Sequence, residues 1–345
     1  METGRETAKK AARYRKEIEA NFNPFLLRIF AKPISSFLEK TFPEIVVENL
    51  DYVREAKKRG AIVYASNHKS YTDPLITGLV FYKNKINQPY YAAGRNMFSL
   101  WSAWFFKGIG AFSVDRSNRE AVYLNTLKDY IIGLIEKKQD MMLYIEGGRS
   151  YDGKIKSPKL GVLKAVLESK NKDVSIIPVA VNYEQIIEDR SLTAIAKKTK
   201  QRRFTDEAKE LWQTYFNYYP LKNGGKRYST KAYVSFSKPL HVMDYGNGRR
   251  GLVNLAEDTM KYISESKRQT SSGIFSAATL EAMLNGNEAY IKDIEENIQK
   301  ISYDGDSCLS KGLEPFLHRA IVSLNNEKVI VKEPKILEYY ANGLH

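Results

Sequence analysis

The stretch AIVYASNHKSYTDP, residues 61–74, decides the fold class. Its first six residues, AIVYAS, begin with an apolar run of five that has β-branched members, which is typical of a strand buried on both faces. The polar residues that follow end at Pro74, a residue that favours the first turn of a helix. A buried strand that leads through a polar loop into a helix is the repeating unit of an α/β fold.

Five further apolar runs predict strands in the same part of the chain. They are PYYAAG (89–94), GAFSVD (110–115), DMMLYIE (140–146), SIIPVAVN (175–182) and KAYVSFSKPL (231–240). Helical stretches separate several of them, as at 119–138 and 160–169. The alternation predicts an α/β domain whose mixed sheet is mostly buried and flanked by helices.

We divide the chain into three regions. Residues 1–50 are expected to form amphipathic helices, because apolar residues recur there at helical spacing between prolines. Residues 51–245 form the α/β domain, with a helical insertion at 184–229 whose basic cluster KKTKQRR (197–203) is typical of a solvated face. Residues 246–345 are expected to be a helical appendage.

The composition narrows the class of protein. Of the 345 residues, 43% are hydrophobic, which is enough for a core and argues against wholesale disorder. Cys308 is the single cysteine, and the first thirty residues lack a secretory pattern, so we expect a cytoplasmic location. The formal net charge of +14 favours phosphate-bearing partners or an anionic membrane surface.

No stretch reaches the roughly 18 uninterrupted apolar residues of a spanning helix. The nearest one, MFSLWSAWFFKGIGAFSV (97–114), is broken by Lys107 and by glycines. Its aromatic residues fit a membrane interface and equally a buried core helix. The segments 22–40 and 97–106 are therefore the two candidates for peripheral contact with a membrane.

Polar residues stand out after three of the predicted strands. His68 and Asp73 follow the first, Arg116 follows the third, and EGGRS (146–150) follows the fourth. In open α/β sheets, ligands bind beyond the carboxyl ends of the strands. The three groups are therefore expected to meet at one site.

His68 and Asp73 allow two interpretations. A carboxylate five residues on, across a loop that turns into a helix, can hold one imidazole nitrogen and leave the other as a proton acceptor. A base oriented in this way can activate a hydroxyl group. Alternatively, Asp73 caps the helix that begins near Pro74, and His68 is an ordinary loop residue.

The loop after the fourth strand has the composition of a phosphate site. Gly147 and Gly148 let backbone amides approach a ligand closely. Arg149 supplies a forked cationic donor, and Ser150 adds a hydroxyl group. The spacing of a P-loop is absent, and a plain tight turn is the alternative.

Four sequence blocks together resemble the glycerolipid acyltransferases. NHKSYTD (67–73) is similar to the H-x4-D block of that family, and GIGAFSVDR (108–116), YIEGGRS (144–150) and IIPVAVNYE (176–184) are similar to the later blocks in order and spacing. The Glu-Gly-Gly-Arg-Ser form is most similar to the branch that acylates glycerol-3-phosphate or dihydroxyacetone phosphate.

The resemblance implies roles for individual residues. His68 would take the proton of an acceptor hydroxyl as it attacks an acyl thioester, and Asp73 would hold the imidazole tautomer. Glu146 would order the loop, and Pro178 would line the acyl pocket. The residues expected to bind the substrate phosphate are Arg116, Arg149, Gly147, Gly148, Ser150 and Lys154.

The chain departs from that branch at Tyr151, where members often carry an arginine. If that arginine helps to bind the substrate phosphate, Arg116, Arg149 and Lys154 would bind it here instead. Surface ion pairs are the alternative role for Arg116 and Arg149.

The expected reaction moves a fatty acyl group from acyl-CoA or acyl-carrier protein to glycerol-3-phosphate. Dihydroxyacetone phosphate and lysophosphatidate are alternative acceptors, and a thioesterase or a non-catalytic lipid-binding protein are alternatives of another class. We expect no cofactor besides the acyl thioester. No metal site is expected, because the four histidines are scattered, and no nucleic-acid partner, because the basic clusters lack interleaved aromatics.

Overall fold

The computed structural model describes residues 4–98, 102–197, 230–283, 286–301 and 305–344. Most of the predicted insertion, with most of its basic cluster, lies outside these ranges. Of that insertion, the described part contains the helix Asp189–Ala196.

A mixed sheet of eight strands forms the centre of the described chain. The strands are β1 (Glu44–Glu48), β2 (Ala61–Ser66), β3 (Tyr90–Gly94), β4 (Ala111–Val114), β5 (Met141–Tyr144), β6 (Val174–Tyr183), β7 (Lys231–Phe236) and β8 (Leu240–His241). Their order is β1-β7-β6-β2-β5-β3-β4, and β8 pairs with β6. Strands β6, β2, β5, β3 and β4 are parallel, whereas β7 and β8 run antiparallel to β6. The predicted mixed α/β fold is confirmed.

Helices cover both faces of this sheet. They are Gly4–Ile18, Pro24–Thr41, Asp51–Arg59, Asp73–Lys83, Ala103–Gly108, Ala121–Glu136, Leu160–Glu168, Asp189–Ala196, Arg249–Glu265, Ser271–Ala282, Ile291–Ile301, Gly305–His318 and Pro334–Asn342. Successive residues of β2 point to opposite faces, so that Tyr64 lies in one buried core and Val63 in the other. The sheet is therefore enclosed between two apolar layers.

Two regions predicted to be helical contain strands. Residues 44–48, EIVVE, form the edge strand β1, which pairs in parallel with β7. In the C-terminal region, β9 (Glu288–Tyr290), β10 (Val322–Asn325) and β11 (Lys328–Val331) form a small antiparallel sheet. β1 (EIVVE) and β11 (KVIV) are rich in β-branched residues, whereas β9 (EAY) has none. All of these strands are short enough to be overlooked between long helices.

The predicted strand at 231–240 is divided in two. It ends at Phe236 as β7 and resumes as β8 after Pro239, because a proline cannot supply the backbone donor that a continuous ladder needs. Both pieces pair with β6, β7 along its end and β8 near its start.

Parallel pairing brings the predicted site loops to one edge of the sheet. Ser66 at the end of β2 pairs with Tyr144 at the end of β5, and Gly94 pairs with Val114 at the end of β4. The loops that follow β2, β4 and β5 therefore leave the sheet on the same side, as the sequence predicted.

Candidate active site

His68 and Asp73 form a hydrogen-bonded pair. The Nδ1 atom of His68 lies 2.7 Å from Oδ2 of Asp73. Since an ionised carboxylate can only accept, Nδ1 carries the proton and Nε2 is the acceptor of the neutral imidazole. The Asp73 side chain is fully buried, whereas 14% of the His68 side chain is exposed. The ring can therefore be reached from outside while its partner cannot.

Further donors fix the Asp73 carboxylate. Oδ2 accepts the backbone N–H groups of Lys69 at 2.7 Å and Ser70 at 3.0 Å, and Oδ1 accepts the hydroxyl of Tyr183 at 2.6 Å. These donors lie before the helix Asp73–Lys83 and on β6, so the carboxylate turns back toward the loop rather than serving as a helix cap. The geometry favours the pair over the capping interpretation.

The His68 ring is held between aromatic and cationic neighbours. It stacks on Tyr144, with ring centroids 3.9 Å apart and planes 17° from parallel. Burial lowers the pKa of His68, the hydrogen bond to Asp73 opposes that shift, and the charges of Arg149 and Arg116 add to it. The neutral imidazole, which is the form that can accept a proton, is favoured.

Two side chains tie the His68 loop to its surroundings. Asn67 donates to the carbonyl of Val181 at 3.0 Å and accepts its N–H at 2.8 Å, so the loop is fastened to β6. Glu146 accepts the backbone N–H of His68 at 3.0 Å and that of Lys156 at 2.8 Å. Burial raises the pKa of Glu146. These contacts are those of a residue that orders the loop.

Arg116 lies beside the loop between β5 and the helix Leu160–Glu168, residues 145–159, which we call the glycine loop. Gly147 has φ +71°, a left-handed conformation that L side chains rarely adopt, and a Cβ there would lie 2.6 Å from Lys159. A Cβ on Gly148 would lie 3.5 Å from Nη1 of Arg116. Arg116 is exposed, so a guanidinium group accessible to ligands lies against the loop backbone.

Ser150 and Lys154 belong to a tight turn within this loop. The Ser150 hydroxyl donates to the carbonyl of Lys154 at 2.8 Å, and the Ser150 N–H donates to the carbonyl of His68 at 2.9 Å. The Lys154 side chain is exposed and lines a cleft of about 620 Å³ together with Met260 and Lys261. Ser150 is thus used internally, while Lys154 faces outward.

Arg149 is almost completely buried, with 1% of the residue exposed. Its guanidinium carbon lies 3.6 Å from the centroid of the Tyr71 ring, and Nη1 lies 3.4 Å from Oε1 of Glu188. Glu188 also accepts the N–H of Tyr71 at 2.7 Å and the hydroxyl of Ser70. Burial raises the pKa of Glu188 to about 7, against the opposing effect of Arg149.

A lysine next to His68 links the glycine loop to the C-terminal region. The ammonium of Lys69 donates to the carbonyl of Gly153 at 2.7 Å, and burial lowers its pKa. Lys267 donates to the carbonyl of Gly343 at 3.3 Å, and burial together with the charge of Lys69 lowers its pKa to about 8. Nζ of Lys69 lies 3.4 Å from a Cβ placed on Gly343, so both ammonium groups lie near that glycine.

Two further sequence positions are explained by the structure. The ammonium of Lys156 lies 4.6 Å from the ring centroid of Tyr151, so a cation lies beside the position where the resemblance expects an arginine. Pro178 is buried within β6, pairs with Ala65, and occupies the point where the antiparallel neighbour changes from β8 to β7. A proline costs few ladder bonds there.

Several residues of the site were missed from the sequence. Lys69 and Tyr183 lie inside blocks that had been singled out, and Tyr144 begins one of them, but only their positions in space reveal their contacts. Glu188 lies shortly after the fourth block, and no spacing in the sequence links it to Arg149.

Comparisons with known proteins agree with the sequence blocks. Residues 44–182 match the protein family described as Acyltransferase. The chain is 31% identical over 238 residues to the glycerol-3-phosphate acyltransferase of Haemophilus ducreyi. This match covers 67% of this chain and 28% of that protein. It is 30% identical over 244 residues to the glycerol-3-phosphate acyltransferase of Pseudoalteromonas atlantica. That match covers 68% of this chain and 29% of that protein. These matches confirm the resemblance to the glycerolipid acyltransferases.

The chain spans less than a third of the length of these two relatives. Among solved structures, the 1-acyl-sn-glycerophosphate acyltransferase of Thermotoga maritima matches with a TM-score of 0.42 and 18% identity, over 68% of this chain and 78% of that one.

Proposed function

We propose that this chain, whose residues 44–182 match the family described as Acyltransferase, transfers a fatty acyl group from an acyl thioester to a hydroxyl of glycerol-3-phosphate. The observation that carries the proposal is the 2.7 Å contact between His68 and Asp73 at the edge where the glycine loop also lies. Two relatives that bear the name of this reaction support it. Acyl-CoA and acyl-carrier protein are the candidate donors.

In the proposed reaction, His68 is the general base. Its Nε2 takes the hydroxyl proton of the acceptor while the acceptor oxygen bonds to the thioester carbonyl carbon. The carbon–sulfur bond then breaks, and the thiolate that leaves recovers the proton from the imidazolium. Asp73 keeps Nδ1 as the donor and stabilises the imidazolium. Because a thiolate leaves readily, these steps need neither a metal ion nor a further cofactor.

The acceptor phosphate is proposed to bind beside the glycine loop. Arg116 is exposed and lies against Gly148, where it can meet phosphate oxygens with a forked donor. Gly147 keeps the backbone accessible, and Lys154 adds an exposed cation. Arg149 contributes positive charge from within the protein, since its guanidinium is covered by the Tyr71 ring.

The other site residues predicted from the sequence keep supporting roles in this proposal. Glu146 orders the loop through the N–H groups of His68 and Lys156, and Ser150 closes its turn. Pro178 lies within a fully buried strand, so any contribution to an acyl pocket would be made through the packing of β6.

We further propose contact with an anionic membrane surface. Phe25, Ile29 and Trp104 are exposed by 68%, 48% and 60%. Their helices, Pro24–Thr41 and Ala103–Gly108, are joined through the rings of Phe30 and Phe105, whose centroids lie 5.0 Å apart. The two helices thus pack against each other, and we call their exposed residues Phe25, Ile29 and Trp104 the aromatic patch.

Basic residues complete the aromatic patch. Arg28 and Lys32 are exposed and share one face of their helix with Phe25 and Ile29. Each such cation near an anionic surface contributes about 1 kcal/mol to binding. We assign the contact to the cytoplasmic leaflet, which carries the anionic lipids. Among the described residues, no helix is both long and apolar enough to cross a membrane.

Flotation with vesicles tests the aromatic patch. Wild-type protein is expected to float with vesicles that contain phosphatidylglycerol, less with neutral ones, and the double variant Phe25→Ser, Trp104→Ser is expected to remain at the bottom. Leu124→Ser, which removes another exposed apolar side chain, is the matched control and should float like wild type. No flotation of the wild type at any ionic strength would refute the proposal.

A panel of acceptors tests the reaction itself. Thiol release from palmitoyl-CoA and from palmitoyl-carrier protein is measured with glycerol-3-phosphate, dihydroxyacetone phosphate, lysophosphatidate or no acceptor. We expect release that depends on glycerol-3-phosphate. Release without any acceptor would indicate a thioesterase, and no release from folded, lipid-binding protein would indicate a binding protein.

A further inference from the structure

Glu188 is a buried acid that touches the two loops of the site at once. From the loop after β2 it accepts the Tyr71 N–H at 2.7 Å and the Ser70 hydroxyl at 2.9 and 3.0 Å. From the glycine loop it meets Nη1 of Arg149 at 3.4 Å. Only 2% of Glu188 is exposed, so water competes little for these contacts.

Arg149 completes the connection from the other side. Its guanidinium group stacks on the ring of Tyr71 and meets the carboxylate of Glu188. Glu188 therefore accepts the backbone N–H of Tyr71 and pairs with the charge of Arg149. The guanidinium group of Arg149 in turn stacks on the ring of Tyr71. The three groups form a closed set of contacts that joins residues 70–71 to residue 149.

This set of contacts lies directly beside the catalytic pair. Ser70 uses its N–H for the Asp73 carboxylate and its hydroxyl for Glu188. The same residue therefore transmits the position of Glu188 to Asp73, and through Asp73 to Nδ1 of His68. A buried ion pair seldom adds net stability, but it can specify one arrangement of the groups around it.

We propose that Glu188 is a positioning residue that holds residues 69–72 and Arg149 in one arrangement, and thereby keeps His68 aligned for proton transfer. This inference rests on the proposed acyl transfer and adds to it a residue outside the four sequence blocks. Glu188 contacts no reacting atom. Its effect is expected in the catalytic rate and in the state of the His68 ring, and not in the affinity for the acyl donor.

The test compares Glu188→Gln with a matched control. Glutamine keeps the size of the side chain and one oxygen acceptor, and it removes the charge that faces Arg149. Glu184→Gln is the control, because Glu184 also accepts backbone and hydroxyl donors, but from Ser271, Ser272 and Tyr233 rather than from the site. We expect Glu188→Gln to lower kcat by at least ~10-fold, in line with the cost of misplacing reacting groups.

The values of kcat and KM distinguish a positioning role of Glu188 from a general loss of structure. In Glu188→Gln the KM for acyl-CoA should stay within about threefold of wild type, because this change does not reach the groups that bind the donor. In Glu184→Gln kcat should stay within about twofold, because that change does not reach the groups that hold His68. Ser70→Ala removes the hydroxyl that donates to Glu188, together with its contacts to Thr72, and should lower kcat in the same direction. This second variant decides the question if Glu188→Gln does not fold. An unchanged kcat in folded Glu188→Gln, or an equal loss in Glu184→Gln, would overturn the inference.

A spectroscopic measurement gives the same answer without turnover. Imidazole ¹H–¹⁵N spectra report the Nδ1–H group of His68, and His241, which contacts Arg59 and Ser175, serves as an internal reference. We expect Glu188→Gln to shift or broaden the His68 signal alone, and an unchanged signal would refute the inference. Wild-type protein that transfers no acyl group would instead refute the proposed function, so the two failures are distinguishable.

Discussion

The hydroxyl of Tyr183, the last residue of β6, donates a hydrogen bond to Oδ1 of Asp73 at 2.6 Å. Oδ2 of the same carboxylate meets Nδ1 of His68 and also accepts the backbone N–H groups of Lys69 and Ser70. Tyr183 therefore holds the oxygen that the proposed base does not contact. The length of β6 matters for this contact, because the strand continues past the end of β2 and places Tyr183 behind the proposed catalytic pair.

Replacing this tyrosine should weaken catalysis without abolishing it. In Tyr183→Phe the buried carboxylate loses one donor, so we expect the free energy of unfolding to fall by about 1–3 kcal/mol. We expect kcat to fall about threefold to tenfold, a small part of the roughly 10²–10⁴-fold that general-base catalysis supplies. Steady-state kinetics and urea denaturation measure both.

Tyr64→Phe is the matched control for Tyr183→Phe. Tyr64 is fully buried in β2, and its hydroxyl has no hydrogen-bond partner among the described residues. Removing that hydroxyl should leave kcat unchanged and stability equal or higher. If Tyr64→Phe and Tyr183→Phe had the same effect, the hydrogen bond to Asp73 would have no special importance.

The pH dependence of the reaction follows from the environment of His68. Burial lowers the pKa of His68 below its usual value, so the imidazole stays neutral to lower pH than in water. Proton uptake by the base is possible only while it is neutral. We therefore expect the acid limb of kcat/KM to fall below pH ~6.5. An acid limb centred above pH ~7, where an unperturbed histidine is already mostly neutral, would contradict a lowered pKa of His68.

Gly153 tests the contact between the glycine loop and the C-terminal helix Pro334–Asn342. It has φ +86°, and a Cβ there would lie 1.9 Å from the carbonyl oxygen of Tyr339. Gly153→Ala must therefore adopt a strained backbone and separate the two segments, with a loss of about 1–3 kcal/mol in the free energy of unfolding. Activity should fall with it, because the Gly153 carbonyl also accepts Lys69 next to His68.

Gly161→Ala provides the comparison for Gly153→Ala. Gly161 lies in the helix Leu160–Glu168, and a Cβ there would have no atom within 4 Å. We expect this variant to gain up to about 1 kcal/mol in stability, since alanine favours helix more than glycine. Thermal unfolding of both variants under one buffer condition decides the matter, and a Gly153→Ala variant as stable as wild type would contradict the contact.

Arg116 should determine the affinity for the acceptor. Because a hydrogen bond to a charged group contributes about 1.5–3 kcal/mol, Arg116→Ala is expected to raise the KM for glycerol-3-phosphate about 10- to 100-fold. The KM for the acyl donor should change little. Arg119→Ala removes another exposed arginine from the same segment and should leave both constants near wild type. Equal effects of the two variants would indicate general electrostatic attraction instead of a phosphate contact.

Most of the sheet was predictable because its strands are buried on both faces. The runs at 61–66 and 175–182 have no polar alternation to obscure them, and the structure gives strands at 61–66 and 174–183. The strand at 44–48 and the small C-terminal sheet were missed, because short β segments beside long amphipathic helices carry little periodicity. The boundaries of the three predicted regions remain a prediction.

The site was predictable only where sequence neighbours are also neighbours in space. His68 and Asp73 are separated by a short loop, so local geometry allowed their contact as one of two interpretations. Glu188 and Arg149 come together through the parallel arrangement of β5 and β6 on either side of β2, which no spacing in the sequence states. The burial of Arg149 under Tyr71 was equally inaccessible, because a single sequence does not show which cations are covered.

The most direct measurement is acyl transfer from palmitoyl-CoA to glycerol-3-phosphate by wild-type protein and by His68→Ala, with folding checked by circular dichroism. We expect turnover that requires the acceptor in the wild type, and a loss of about 10²-fold or more in the folded variant, as expected for removal of a general base. Turnover by His68→Ala at the wild-type rate would contradict the assignment of His68 as the base and, with it, the proposed mechanism.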